Sequence, residues 1–323
     1  MKALILESLH SSWIYKHVDP PKPGPGEVNV ALKAAALNRR DWWISIGLYP
    51  NIRLPVIPGS DGAGVYQGKR VLLYPILNWG EQSQFQSPST EILGMPRNGT
   101  FAERISVPHE NLFQIPDHLS FEEAAALPLA GVTAYRCVFS VGKLKSGQKI
   151  LISGIGGGVA CFAALFSIAT KAEVWVTSSR EEKIDRAIDF GCQGGILYTE
   201  PDWEVRLKDK AGLFNLIIDS AGGPQFHKFL KICDRGARII IYGGTQGAIT
   251  SLPPYSIFWK QIAILGSSLG TKNEFHDMLH FIDRHQIKPV IDTILPLSKG
   301  NEARERMKNQ RHMGKMILSI EGS

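Results

Sequence analysis

Between Gln148 and Gly266 the apolar residues fall into short, nearly unbroken blocks, each followed by a longer stretch with apolar positions three or four apart. The blocks at 150–153, 173–177, 195–198, 215–219 and 238–242 predict strands. The stretches at 159–171, 180–190, 203–210 and 225–233 predict helices. Pro253 and Pro254 open a further short helix, and Ala263–Gly266 supplies a sixth strand. Strands without a polar face, separated by helices, predict a parallel sheet covered on both sides. Six such strands form the open doubly wound α/β sheet, with a ligand crevice where the strand order reverses.

The chain before residue 117 has a different rhythm. It is rich in Pro and Gly, and runs such as Glu27-Val-Asn-Val-Ala-Leu32 and Lys69-Arg-Val-Leu-Leu-Tyr74 predict strands of a mostly β domain. Met1-Lys-Ala-Leu-Ile-Leu-Glu7 reaches an acid at once and reads as a first strand rather than a signal peptide. Ser120-Phe-Glu-Glu123 forms a capping box ahead of an Ala/Leu-rich helix. An amphipathic helix is expected at 273–285, and β-like patterns return at 291–295 and 315–320. The tail resembles the first part more than the middle, so the expected division is 1–122 with 267–323 as one domain and 123–266 as the other.

With 323 residues, 44% hydrophobic and 20% charged, the chain suits two globular domains. A net charge of +6 is scattered along the sequence, with no basic stripe carrying interleaved aromatics, so no nucleic-acid partner is expected. It suits an anionic cofactor better. Residues 150–170 hold no charge over 21 positions, but the glycines at 154–158 break the run and no membrane span is expected. Cysteines stand alone at 137, 161, 192 and 233. Without a CxxC or Cys/His cluster they read as buried free thiols in a reducing cytoplasm. His10, His17 and His118 fall in expected loops with no metal-like spacing.

The most informative segment is Lys149-Ile-Leu-Ile-Ser-Gly-Ile-Gly-Gly-Gly-Val-Ala160. A strand meets four glycines in five positions and a small-residue helix follows, a junction that lets backbone approach a pyrophosphate. Gly154, Gly156, Gly157, Gly158 and Val159 form this turn. The usual third glycine would fall at Val159, with Gly158 and Ala160 as alternative sources of room. At the end of the second strand, Ser178-Ser179-Arg180 and then Lys183 stand where NAD-preferring chains carry an acid for the ribose. Hydroxyls, a guanidinium and an ammonium suit a 2′-phosphate, so NADPH is expected.

Eight ordered blocks resemble the medium-chain dehydrogenase/reductases, the superfamily of zinc alcohol dehydrogenases and quinone oxidoreductases. They are Ala36-Leu-Asn38-Arg-Arg-Asp41, Pro58-Gly-Ser-Asp-Gly-Ala-Gly-Val65, Gly99-Thr-Phe-Ala-Glu103, Leu127-Pro-Leu-Ala-Gly-Val-Thr-Ala-Tyr135, Asp219-Ser-Ala-Gly-Gly223, Tyr242-Gly-Gly-Thr245, Gly266-Ser-Ser-Leu-Gly270 and Gly314-Lys315. The resemblance implies a GroES-like catalytic domain beside a Rossmann domain, a substrate cleft between them and a homodimer built on sheet edges, with 238–242 and Ala263–Gly266 as its candidates. It also implies cofactor contacts from Thr133, Lys183, Tyr198, Gly243, Gly244, Thr245, Ser267, Leu269 and Gly270. Tyr198 reads either as an adenosine stack or as an ordinary strand-end tyrosine.

The departures from that pattern bear on chemistry. Zinc-dependent relatives place cysteine where Asn38 stands, histidine at Ser60 and cysteine near Leu129. An amide, a hydroxyl and an alkyl group do not make a zinc site. Glu81 to Asn98 holds no cysteine, so no structural zinc is expected either. Without metal, hydride transfer favours conjugated acceptors that spread the incoming charge. The resemblance aligns Asn38 with an active-site asparagine and Tyr49 with a pocket tyrosine, and Asn38, Tyr49 or backbone N–H groups are expected to stabilise the enolate. Trp43 replaces a tyrosine of several relatives, and with Trp42 forms either a flat substrate wall or core packing. Asp41 reads as structural. The expectation is an NADPH-dependent, zinc-independent reductase of quinones or enones, a small-molecule enzyme of the cytoplasm. Its alternatives are an alcohol dehydrogenase-like carbonyl reductase and a catalytically weak NADPH-binding redox sensor.

Overall fold

The structure is a computed structural model, and residues 1–321 are described. Gly322 and Ser323, the end of the expected 267–323 segment, lie outside them. The chain divides into two compact units, 1–132 with 271–323, and 133–270. No helix among the described residues is long and apolar enough to cross a membrane.

The unit formed by 133–270 is built on six parallel strands: β1 (Lys149–Ile152), β2 (Glu173–Ser178), β3 (Gly194–Leu197), β4 (Phe214–Asp219), β5 (Cys233–Ile241) and β6 (Ala263–Gly266). They lie in the order 3-2-1-4-5-6. The order reverses between β1 and β4, which opens the crevice at their carboxyl ends. Helix α1 (Gly158–Ala169) buries Ala160, Ala163, Ala164 and Ser167. These small residues at one-turn spacing let it pack close. Val159, where the third fingerprint glycine would fall, is only half buried and lies off that face. Ala160, on the packed face, supplies the room for that close approach.

The strand expected at 238–242 begins earlier, at Cys233. Gly236 with φ +69° and the partly exposed Asp234 and Arg235 interrupt the apolar run, which hid its first half. The helix expected at 225–233 shrinks to His227–Ile232 for the same reason. All four cysteines are buried and none forms a disulfide, and burial pushes the Cys192 and Cys233 thiols up to about 12.

The other unit is a seven-stranded sheet. Its centre is the long strand Glu27–Ala36, paired antiparallel to Asp61–Tyr66, to Arg104–Pro108 and to the C-terminal strand Lys315–Ser319. The last pairing sets Ile317 opposite Ala36, which carries Lys315 to the mouth of the central strand. Leu4, Leu32, Phe101, Met316 and Leu318 share the core beneath.

The capping box of Ser120 is present, the Glu123 N–H donating to Ser120 Oγ at 3.2 Å. The expected helix behind it is broken into Phe121–Ala125, Pro128–Tyr135 and a π-helical turn Arg136–Val141. Pro128 has no N–H to continue the first piece. His17, expected in a loop, ends the strand Ile14–His17, an exposed strand without apolar alternation.

Candidate active site

In the sheet unit of 1–132 and 271–323, the strand Glu27–Ala36 stops and the chain turns at Asn38 into the helix Arg39–Ser45. Asn38 has extended backbone, and its N–H donates to the Asp41 carboxylate at 2.8 Å. That bond pins the turn and leaves the Asn38 side chain free to face the strand Asp61–Tyr66. There Asn38 Nδ2 donates to Asp61 Oδ2 at 2.8 Å. Lys315 Nζ donates to Asn38 Oδ1 at 2.7 Å and to Asp61 Oδ2 at 2.8 Å. Asn38, Asp61 and Lys315 are all buried. Such a charge pair is tolerated inside because each member is hydrogen-bonded.

A second cation lies beside it. Arg40 is buried and donates from Nη1 to Ser60 Oγ at 2.6 Å and to Leu93 O at 2.8 Å, and from Nη2 to Met95 O at 3.1 Å. Its Nε donates to Tyr49 Oη at 3.4 Å, and the guanidinium lies 5.0 Å from the Tyr49 ring centroid. Ser60 Oγ passes its own proton to Leu93 O at 2.8 Å. Asn38 thus belongs to a hydrogen-bonded group around Lys315 and Asp61, and Tyr49 to a second one around Arg40 and Ser60.

Trp42 and Trp43 do not form a common wall, because consecutive helix positions diverge by about 100°. Trp42 packs against the core with the Arg39 guanidinium 5.3 Å from its ring, while Trp43 is half buried and outside that cluster. Arg40, Asp61 and Lys315 were not assigned roles from the sequence. Lys315 had a signal, a lysine opening an otherwise apolar C-terminal strand.

Asp41 is 1% exposed, and its Oδ1 has no hydrogen-bond partner among the described residues. Burial raises its pKa from the ordinary 3.8 to about 6, against the pull of Arg40 and the Asn38 N–H. The native state thus binds this proton more tightly than the unfolded chain between about pH 4 and pH 6. Asp41 favours folding less and less as pH rises through that window. Asp41→Asn lacks the ionisation. Its melting temperature relative to the parent should rise from pH 4 to pH 6 and level above, the free-energy difference reaching roughly 2–3 kcal/mol. Thermal melts of both proteins across this range check it; a difference independent of pH would contradict it.

In the six-stranded unit the glycine turn is fastened on both sides. The Gly154 N–H donates to Thr177 Oγ1 at 3.2 Å and the Ile155 N–H to Thr177 O at 3.0 Å, tying the turn to β2. Ser153 Oγ donates to Asp219 Oδ1 at 2.5 Å, tying it to β4. Asp219 is buried and its pKa is raised by desolvation; it also accepts the Gly222 N–H at 2.7 Å. Gly154 has φ +65°, where a side chain is strained. Gly157 caps α1 without a side-chain bond, and a Cβ there would meet only Gly154 O at 3.8 Å. This open cradle at a helix N-terminus fits a pyrophosphate.

The other expected cofactor residues line the carboxyl edge of the same sheet. Ser178 ends β2, Ser179 and Arg180 follow it, and the Tyr198 N–H after β3 donates to Ser178 O at 3.0 Å. Gly243, Gly244 and Thr245 follow β5, the Thr245 N–H reaching Ser220 O at 3.4 Å. Ser267, Leu269 and Gly270 follow β6. Ser267 Oγ has no partner among the described residues, an orphan donor suited to a ligand. Thr133, buried on the helix Pro128–Tyr135, is not among these strand ends.

Two details at β2 differ from the reading of the motif. Ser178 Oγ is turned inward and accepts the Arg180 N–H at 3.1 Å, so Ser179 is the exposed hydroxyl. Arg180 Nη1 pairs with Glu182 at 3.2 Å, both side chains exposed. Lys183 is buried on α2 (Glu181–Asp189).

Residues 24–117 match the family model of alcohol dehydrogenase GroES-like domains, and residues 158–284 match that of zinc-binding dehydrogenases. The zinc-type alcohol dehydrogenase-like protein C1773.06c of Schizosaccharomyces pombe is 35% identical, over 94% of this chain and 93% of its own. The zinc-type alcohol dehydrogenase-like protein YogA of Leptosphaeria maculans is 33% identical, over 94% and 93%. The chain belongs to the medium-chain dehydrogenase/reductase superfamily. It is an oxidoreductase with the GroES-like and Rossmann-like parts of that fold. A crystal structure of an NAD-dependent alcohol dehydrogenase superposes with a TM-score of 0.93 at 32% identity, covering 99% of this chain and 100% of the other.

Three positions where zinc-dependent members of the superfamily carry ligands hold side chains that do not suit zinc. Asn38 Oδ1 is taken by Lys315, Ser60 Oγ by Arg40, and Leu129 offers an alkyl side chain. No group of three or more His, Cys, Asp or Glu among the described residues is placed to hold a metal. A tetrahedral set of nitrogen and sulfur ligands is not present at these positions.

Proposed function

We propose that this oxidoreductase reduces quinones or enones by hydride transfer from NADPH, without a metal. The observation that carries the reading is the pair of buried cations, Lys315 and Arg40, bound to Asn38 and Ser60. A divalent ion there would face two like charges and no anionic sulfur.

The reduced nicotinamide supplies the hydride when bound. Asn38 donates an N–H to the acceptor oxygen, where negative charge develops. Tyr49 acts as a second donor. Its oxygen already accepts from Arg40, so its own O–H is available to substrate. Trp43 offers a ring edge or face to a planar acceptor. Conjugation spreads the charge that arrives with hydride, so hydrogen bonds suffice where an isolated carbonyl needs a stronger electrophile. The enolate then takes a proton from water.

The cofactor is held by Gly154, Gly156, Gly157, Gly158 and Val159 at its pyrophosphate, and by Gly243, Gly244, Thr245, Ser267, Leu269 and Gly270 along the strand ends. Tyr198 flanks the adenosine. Ser179, Arg180 and Lys183 take the 2′-phosphate, which distinguishes this chain from its NAD-dependent relative. Arg180 must leave Glu182 to do so, a small cost because an exposed pair is worth little. Mixing the protein with NADPH and either 2-cyclohexen-1-one or 1,4-benzoquinone tests the reading. Loss of nicotinamide absorbance on at least one acceptor is expected; tight NADPH binding with no consumption on either would oppose it.

Four buried thiols outside any disulfide suit a reducing cytoplasm. Among the described residues β6 is an edge strand paired with β5 alone, and the exposed Tyr255, Phe258 and Trp259 precede it. An open edge beside exposed aromatic rings suits pairing with a second copy. Light scattering is expected to give a dimer mass; a monomer mass would remove this part.

A further inference from the structure

The ammonium of Lys315 has three N–H bonds, and all are committed: to Leu37 O at 2.8 Å, to Asn38 Oδ1 at 2.7 Å and to Asp61 Oδ2 at 2.8 Å. Lysine donates and never accepts. The atom of the Asn38 amide that faces it must therefore be the oxygen, since a flipped amide would set N–H bonds against the ammonium. Asp61 works from the other end. Its carboxylate only accepts, and it takes Asn38 Nδ2 at 2.8 Å.

Asp61 is itself held in place. Its Oδ1 accepts the Leu129 N–H at 2.8 Å, and its backbone oxygen accepts Thr100 Oγ1 at 2.7 Å. The Lys315 and Asp61 side chains are 3% and 0% exposed, so neither charge is loosened by water. An asparagine amide otherwise rotates broadly about its last torsion. Clamped between a cation and an anion, this one keeps its second Nδ2 hydrogen as its uncommitted donor.

We propose that Lys315 is a positioning residue: with Asp61 it locks the Asn38 amide in the orientation that presents an N–H, not a carbonyl oxygen, to the reducible acceptor. The inference rests on the reading that Asn38 donates to that acceptor. It gives a role to a lysine buried at the start of the strand Lys315–Ser319, whose burial is tolerated because all three of its N–H bonds are matched. An amide oxygen turned to the acceptor would repel the developing enolate, so the orientation decides whether Asn38 helps or hinders.

Two measurements decide it. With the protein labelled by 15N-asparagine, the Asn38 side-chain amide is assigned by its disappearance in Asn38→Ala. In the parent its two protons should be well separated, one being bonded to a carboxylate. In Lys315→Met they should draw together as the amide samples both orientations. Lys315→Met/Asp61→Asn leaves no unpaired buried charge and carries the same test if the single variant does not fold. Reduction of 2-cyclohexen-1-one by NADPH supplies the second readout. Either variant should lower kcat by roughly 10–100-fold with KM within about 3-fold, and should have little further effect when Asn38→Ala is also present.

Amide protons that stay separated, or kcat losses of equal size with and without Asn38→Ala, would overturn the proposal. If Asn38→Ala alone keeps the parent kcat, the donor reading fails, and the amide spectra still judge the positioning by Lys315.

Discussion

Replacing Asn38 by alanine is expected to lower kcat for reduction of an enone by roughly 10²–10³-fold, the usual cost of removing one donor to a developing oxyanion. The KM should change little, since the ground-state carbonyl gains less from that bond than the enolate does. The fold should survive. The side chain lies at the end of a strand, and the turn below it is tied by the Asn38 backbone N–H to Asp41, a bond the substitution keeps. Lys315 and Asp61, 2.8 Å apart, pair directly and do not need the amide to do so. Steady-state kinetics of the two proteins on 2-cyclohexen-1-one check this. A kcat within 3-fold of the parent would remove Asn38 from the reaction, and a loss carried wholly by KM would make it a binding residue.

Replacing Arg180 by alanine is expected to weaken NADPH by about 10–100-fold, the loss of one or two charge-assisted hydrogen bonds to a 2′-phosphate. NADH should bind as before, because it carries no phosphate there. The two cofactors, titrated by fluorescence against both proteins, give the comparison directly. Equal weakening of both would assign Arg180 to the fold of the strand end. No effect on either would leave the phosphate to Lys183 or to no residue of this segment. Glu182 sharpens the expectation: it holds Arg180 at 3.2 Å in the free protein, so it competes with the phosphate.

Much of this arrangement is visible in the bare sequence, for definite physical reasons. Strands buried on both faces read as apolar runs, and the alternation with helices then predicts the parallel sheet whose order is 3-2-1-4-5-6. The glycine turn is legible because φ +65° at Gly154 demands a residue without a side chain. The first half of β5 is not legible, since Gly236 and its polar neighbours break the pattern while the ladder continues. The Ile14–His17 strand is missed because all four of its residues are exposed and none alternates.

The site shows the same limit more sharply. Asn38 and Ser60 are legible as departures from a zinc-ligand set, because that is a matter of residue type. What stands in their place is a matter of three dimensions. Lys315 reaches Asn38 across 277 positions of sequence, and Arg40 reaches Leu93 across 53. Neither partnership has a local signature. Asp41 read as structural from the sequence, and its carboxylate does tie the turn; its raised pKa follows from burial that no local pattern reveals.

The central claim is that hydride transfer here proceeds without a metal. It is tested most directly by measuring metal content and enone or quinone reduction on the same protein sample. Elemental analysis should find far less than one zinc per chain. The rate with NADPH should be unchanged by a zinc chelator or by added zinc at stoichiometric level. About one zinc per chain, with activity lost on its removal and regained on its return, would contradict the account.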